Sequence, residues 1–342
     1  DDSFRVNWEK SQKGDLSSVK FPEFNSGENL ATRKAWGPIL DSICDSFDFL
    51  VGGSADLEPS NVTEGFAKRV KDFNKTNKSG RNFAYGVREF PMGAINNGIA
   101  QHGGLKVFGA TFFAFSDYER PALRMRALQN LPVVTEYTHD SIYVGEDGPT
   151  HQPIEQLSGL RSIPNLNVFR PADSTETYEC WELALKNLNS PSILALTRQK
   201  LNPIRKEFLK ENKCSLGAYE ISRTNQNIKI TIMASGSEVN LAQEVSHKLA
   251  TENIYSKVIS VPCQDLFKQQ SDSYKDKILN ETEFLITIEA GSTSCWQEYI
   301  VNKGINFGIN DFGKSAPYKK IYNYFGLTVE NIAKKTKEMI NK

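Results

Sequence analysis

The chain has 342 residues, with 41 Lys+Arg against 41 Asp+Glu and so no net formal charge; 39% of its residues are hydrophobic and 24% charged. This composition describes an ordinary globular protein of roughly two domains and excludes a disordered or collagenous chain. A balanced charge gives no field to attract nucleic acid or an anionic membrane, mean hydropathy is −0.45, and every apolar run falls far short of the ~18 residues of a membrane span. A soluble protein with a small-molecule partner is expected.

The chain opens Asp1-Asp2-Ser3 without Met, which raises the expectation that it is part of something longer. Residues 1–27 are polar, with Gly14, Pro22 and Gly27, and read as a linker after which order begins. From there to residue 200, short apolar or β-branched runs at Phe47–Val51, Val107–Thr111, Val133–Thr138, Asn167–Phe169 and Ser192–Thr197 read as strands. Helical patterns at 31–46, 88–102, 116–130 and 173–188 alternate with them, the last opened by the cap signal Asp173-Ser174-Thr175-Glu176. After a linker at 201–215 the alternation restarts, with strands at Ile228–Ala234, Ser256–Val261 and Phe284–Ile288 and helices at 238–252, 295–303 and 329–341. The fold class predicted is therefore α/β: two consecutive open, mostly parallel sheets covered by helices, over 28–200 and 216–342.

In such sheets ligands bind outside the carboxyl ends of the strands, and here those ends carry the chemistry. Strand 47–51 runs into Gly52-Gly53-Ser54-Ala55-Asp56, segment 83–87 into Arg88-Glu89, and strand 107–111 into Phe112 and Phe115. Strand 133–138 ends in His139-Asp140, followed by Gly145-Glu146-Asp147-Gly148-Pro149-Thr150-His151, and strand 192–197 in Arg198-Gln199. One crevice collecting these groups suits a polyhydroxylated, phosphorylated substrate: Arg for phosphate, Asp and His for hydroxyls, aromatic faces for a ring.

Each residue also has an ordinary role open to it. His139 and His151 with Asp140, Glu146 and Asp147 could form a metal site, but their spacing matches no standard zinc pattern, and no metal ligand is expected among them. Glu89 can cap its own helix, Phe112, Phe115 and Tyr118 can form a core stripe, and Arg33 and Arg198 can be surface ion pairs. Gly308-Ile309-Asn310-Asp311-Phe312-Gly313-Lys314-Ser315 has the spacing of a nucleotide phosphate loop, but neither the preceding apolar strand nor the following helix that such a loop needs is evident. The five cysteines form no CxxC, so neither a disulfide framework nor a thiolate metal site is expected, and a reducing cytoplasm is the simplest home.

Several runs resemble transketolase: Leu30-Ala31-Thr32-Arg33, Gly53-Ser54-Ala55-Asp56-Leu57 with Pro59-Ser60-Asn61, Gly86-Val87-Arg88-Glu89-Phe90, Gly109-Ala110-Thr111-Phe112, Arg170-Pro171-Ala172-Asp173 and Arg198-Gln199. Above all, Thr138-His139-Asp140-Ser141-Ile142 is followed by Gly145 to Pro153 in the family's pattern. The resemblance runs from about residue 28 to the end and implies the pyrimidine-binding domain of the thiamine diphosphate fold followed by the C-terminal domain. It further implies an enzyme that moves a two-carbon ketol unit from a ketose phosphate to an aldose phosphate in the pentose phosphate pathway.

By that resemblance Glu89 bonds the aminopyrimidine and promotes its imino form, while Phe112, Phe115 and Tyr118 make the pocket for the ring and Asp56 belongs to the cofactor region. Arg33, Ser60, His139 and Arg198 bind the sugar phosphate, Asp147 reads a substrate hydroxyl, and His151 stands near the reacting carbonyl. The family's N-terminal domain, whose Gly-Asp-Gly and Asn bind a Mg or Ca ion and the diphosphate, has no counterpart among these residues. A homodimer with its site between subunits is implied, with the N-terminal half in the same longer chain or in a separate subunit. Tyr143 stands where the family commonly has Gly, and is expected to narrow the entrance. Two other readings remain: the β subunit of a 2-oxo acid dehydrogenase, with the same two-domain plan, and a degenerate regulatory subunit.

Overall fold

A computed structural model describes residues 2–22, 24, 28–205, 211–300 and 303–341. Its first sheet contains β1 (Leu50–Ser54), β2 (Lys106–Phe112), β3 (Val134–Thr138), β4 (Asn167–Phe169) and β5 (Ser192–Leu196), in the order β1-β2-β3-β5-β4 and parallel throughout. Every residue of these five strands is buried, as a parallel sheet covered on both faces requires. Helices Thr32–Ser46 and Ser174–Lys186 pack together over one face, where Trp36 and Trp181 stack with ring centroids 3.8 Å apart and planes 5° from parallel. Helices Glu89–His102 and Ser116–Leu128 pack together beside β2. The cap signal forms a closed pair: the Glu176 amide donates to Asp173 Oδ1 at 2.8 Å and the Ala172 amide to Glu176 Oε2 at 2.7 Å.

The second sheet contains β6 (Tyr219–Arg223), β7 (Ile230–Ala234), β8 (Ser256–Ser260), β9 (Phe284–Ile288) and β10 (Gly304–Phe307), in the order β10-β9-β7-β8-β6. Only the edge strand β6 runs antiparallel, against β8. Both sheets agree with the α/β class that the alternation predicts.

Three expectations need correction. Order does not begin after residue 27: Asp2–Lys13 is a helix, and Leu16 and Val19 are buried in the first core. The segment is polar on average, but Phe4 and Trp8, spaced i, i+4, share a helical face and both pack edge-on against Phe49, at 5.5 and 5.3 Å. Helix 295–303 is instead a 3-10 helix, Thr293–Tyr299, followed by β10. Its buried Trp296 and Tyr299 are three residues apart, the repeat of that tighter helix; residues 301 and 302 of that expectation, like 1, 23, 25–27 and 206–210 of the two linkers, lie outside the described residues. Finally, Gly308–Ser315 follows β10 but opens into no helix; the next helix, Tyr318–Phe325, starts only after Pro317.

The two domains meet in a seam of buried ions. Arg170 pairs with Asp140 of its own domain at 2.8 Å and with Glu238 of the second at 2.5 Å, all three fully or almost fully buried. Arg161 holds Glu289 through two bonds of 2.8 and 2.9 Å, and the Trp296 indole donates to the same carboxylate at 2.7 Å. Burial alone would raise the Glu289 carboxyl, but the charge and hydrogen bonds of Arg161, with Arg170 behind, hold it down to about 2.

Candidate active site

The carboxyl edge of the first sheet brings the sequence-predicted residues together through its backbone. Asp56 and His139, just past the ends of β1 and β3, both have left-handed backbones, φ 62° and 63°, a conformation that non-glycine residues rarely adopt outside strained functional turns. Helix Glu89–His102 ends three residues before β2 begins, so its N-terminus, and with it Glu89, lies at the same carboxyl edge.

His139 is 4% exposed. Its Nδ1 lies 2.8 Å from Thr138 Oγ1, which bonds Asn61 Oδ1 at 3.0 Å, and Asn61 Nδ2 donates to Ser54 Oγ at 3.1 Å. This buried chain joins the ends of β1 and β3 and fixes the ring, which lies 3.9 Å from Phe112 centroid to centroid. Burial, then the charges of Arg33, Arg198 and His151, lower its pKa to about 3, so the ring is neutral at physiological pH and offers a hydrogen bond rather than a charge.

Charge comes from the two arginines. Arg33 Nη1 donates to the Ser60 carbonyl at 2.8 Å, which places Ser60 beside it. Burial and then the like charge of Arg198 lower its proton affinity, while Glu136 raises it. Two guanidinium groups close enough to oppose each other form a place that gains from an anion. Arg198 donates to the Val144 carbonyl at 2.8 Å and lies 3.5 Å from Asp147.

The opposite wall is aromatic. Phe112 and Phe115 stack at 5.8 Å, Tyr118 follows at 6.0 Å from Phe115, and His151 stands edge-on to Phe115 at 5.5 Å. His151 Nδ1 is held by Thr150 Oγ1 at 2.8 Å. Beyond this wall lies a cavity of about 350 Å³, lined by Phe115, Tyr118, Pro149, Thr150 and Gln152 and by Phe312 of the second domain.

Glu89 is 7% exposed and makes no side-chain hydrogen bond or ion pair among the described residues, nor does Asp56, which is exposed. Both share the edge without a contact that ties them to the rest. The Tyr143 ring packs on Tyr318 at 4.5 Å and Tyr322 at 5.1 Å, in the second domain. Among the described residues no cluster of His, Cys, Asp and Glu could hold a metal ion, and no helix is long and apolar enough to cross a membrane.

Sequence reasoning passed over several residues. Asn61 and Thr138, the supports of His139, are small polar residues inside motif runs, and nothing local marks them as its hydrogen-bond chain. Glu136, in the middle of β3, is fully buried with neither carboxylate oxygen bonded, and burial, against the opposing charge of Arg33, pushes its pKa well above the ordinary range. A lone Glu inside an apolar strand was the available signal.

Residues 28–203 match the family described as "Transketolase, pyrimidine binding domain", and residues 217–328 match "Transketolase-like TK C-terminal domain". The chain is 46% identical over 337 residues to a transketolase of Bacillus subtilis (strain 168), covering 96% of this chain and 50% of that protein. A transketolase of Aquifex aeolicus is 44% identical over 321 residues, or 93% and 46% of the two chains. Among solved structures, transketolase from Leishmania mexicana superposes with a TM-score of 0.91 at 37% identity, over 99% of this chain and 50% of that one. A structure described as "Split gene transketolase, inactive beta4 tetramer" shares the fold over 92% of this chain and 99% of its own, with a TM-score of 0.74 at 22% identity. The chain thus spans about half the length of the curated relatives it matches, and it belongs to the transketolase family.

Proposed function

We propose that this chain forms the pyrimidine-binding and C-terminal part of an enzyme that transfers a two-carbon ketol unit from a ketose phosphate to an aldose phosphate, as the pentose phosphate pathway requires. Its partner is a diphosphate-binding half, in the same longer chain or in a separate subunit, and the site is completed in a homodimer. That half supplies most of the contacts to magnesium or calcium. The observation that supports the reading is a pair of arginines, Arg33 and Arg198, whose charges both bear on His139, with Asp147 3.5 Å from Arg198 and the His139 and His151 rings packed on Phe112 and Phe115.

The residues present suit thiamine diphosphate. An aminopyrimidine needs a flat apolar surface and a carboxyl without a partner of its own, and the Phe112, Phe115 and Tyr118 rings and the unbonded Glu89 provide both. The cofactor, when bound, supplies the nucleophilic carbon that carries the ketol unit. Glu89, nearly buried and without a partner of its own among the described residues, bonds the pyrimidine nitrogen. Neutral His139 bonds the sugar without adding charge, Arg33, Ser60 and Arg198 take the phosphate, Asp147 accepts a bond from a substrate hydroxyl, and His151 exchanges a proton at the reacting oxygen. Asp56 belongs to the wall of the cofactor cleft.

The homodimer reading is supported by the outer faces of helices Glu89–His102 and Ser116–Leu128, where Phe90, Ile95, Tyr118, Met125 and Leu128 are exposed and a Cβ on Gly98 would meet nothing within 4 Å. All five cysteines are free, which suits a cytoplasmic enzyme.

The test is reconstitution with the diphosphate-binding half, thiamine diphosphate and Mg²⁺. Xylulose 5-phosphate and ribose 5-phosphate should be turned over, and Glu89→Gln should abolish turnover with little change in the KM for either sugar. Turnover of 2-oxo acids but not sugar phosphates would instead establish the dehydrogenase β-subunit reading, and binding without any turnover a regulatory role.

A further inference from the structure

The segment Gly308–Ser315 has the spacing of a phosphate loop; its first half is bonded within the second domain, to Gly291 and Thr293, but its end, Gly313–Ser315, meets the first domain. It lies against the loop from Gly145 to Gln152, which carries Asp147 and His151. Gln152 Nε2 donates both to the Gly145 carbonyl within its own loop, at 2.7 Å, and to the Lys314 carbonyl of the second domain, at 2.9 Å. Ser315 Oγ donates to the Glu146 carbonyl at 2.6 Å. Gly313 is packed so closely that a Cβ there would stand 1.7 Å from Gln152 Oε1. At the start of the loop, the Tyr143 ring rests on Tyr318 and Tyr322.

The inner side of the same loop is held by the candidate phosphate residue and its neighbour. Arg198 Nη1 donates to the Val144 carbonyl, and Gln199 Nε2 to the Tyr143 carbonyl at 3.0 Å. Between these two supports Glu146, Asp147, Pro149 and Thr150 are exposed, and the stretch 145–152 forms no regular helix or strand. Carbonyls at 144, 145 and 146 are thus each taken by a side chain, one of them from the second domain. Two backbone bonds, Gly148 to Gly145 and His151 to Gly148, turn the loop on itself, and the side-chain bonds fix where it sits.

We propose that the Gly313–Ser315 turn of the second domain is a positioning element for the substrate loop, acting through Gln152 and the Glu146 carbonyl to set where Asp147 and His151 meet a phosphorylated sugar. The inference rests on the ketol-transfer reading and gives the second domain a part in substrate recognition. It touches no substrate itself. The turn needs glycine at 313 because the Gln152 amide, already committed to two carbonyls, has nowhere to retreat.

Two variants test this: Gly313→Ala, whose methyl displaces Gln152, and Ser315→Ala, which removes one hydroxyl, with Ser315→Thr as the conservative rescue. In the reconstituted enzyme both should raise the KM for ketose phosphate by about fivefold or more, the fold-change that one hydrogen bond controls. The apparent affinity for thiamine diphosphate should not change, and Ser315→Thr should restore the wild-type KM. In the 342-residue chain, amides 145–152 should exchange faster in both Ala variants, a readout that needs no activity. Packing alone would lower the active fraction and leave KM where it was. Wild-type protein that turns over no sugar phosphate would refute the ketol-transfer reading. Unchanged KM in both Ala variants, beside a wild type that turns over, would refute the positioning role alone, whatever the exchange shows.

Discussion

The site edge and the domain seam are built from the same residue types and treat them in opposite ways. In the seam, Arg170 and Arg161 are fully enclosed and matched by Asp140, Glu238 and Glu289 at hydrogen-bond distance. At the edge, the like charges of Arg33 and Arg198 bear on each other, neither is matched by a buried carboxylate at hydrogen-bond distance among the described residues, and the carboxylate beside Arg198 is a half-exposed Asp147 at 3.5 Å. Charges that satisfy one another hold domains together, whereas charges left short of a partner are available to a ligand. Adjacent residues divide between the two tasks: His139 faces Phe112 in the site, and Asp140 binds Arg170 in the seam.

Breaking the seam should have the larger effect on stability. Arg170→Leu strands Asp140 and Glu238 in the interior, and removal of one partner from a buried ion pair costs about 3–5 kcal/mol. Urea unfolding should show a loss of that size, and a loss below about 1 kcal/mol, the range of exposed pairs, would erase the distinction drawn here. Arg198→Ala should do the reverse. Its stability change should stay within about 1 kcal/mol, while the KM for phosphorylated sugars rises about 10- to 100-fold, as expected for a lost charge-assisted bond. An unaltered KM would remove Arg198 from phosphate binding.

The smallest effect concerns pH. Glu176 lies between the domains, accepting bonds from Tyr219 at 2.7 Å and Ser260 at 2.6 Å, and burial, then the charge of Asp173, raises its pKa from 4.5 to about 7. The folded state therefore holds this proton more tightly than the unfolded chain. The stability it contributes is complete below pH 4.5 and is lost as pH rises towards 7. Glu176→Gln should flatten that slope in unfolding curves measured between the two values, and an unchanged slope would assign it to another group.

The sequence made eight of the ten strands legible because they are buried throughout between polar turns; Asn167–Phe169 and Phe284–Ile288 were readable to the residue, while β6 and β10, largely only half-buried, were not. It hid the helix Asp2–Lys13, whose few apolar side chains are diluted by charge, and the edge strand β6, whose partners lie far along the chain. The site was legible as motifs at strand ends. What pattern alone could not disclose was direction. Nothing local tells Tyr143 to face the second domain, or marks Gln152 and Lys314 as partners 162 residues apart. Pairings of that kind are decided by tertiary geometry.

The stacked indoles of Trp36 and Trp181 carry a practical consequence. Of the four tryptophans, these two share one core, Trp296 sits in the other domain against Glu289, and Trp8 lies on the N-terminal helix. Face-to-face indoles exchange excitation and quench one another, so melting the first domain should change the emission in a way that melting the second does not. Intrinsic fluorescence, followed with and without Trp296→Phe, is thus a built-in gauge of whether the two domains unfold together or in turn.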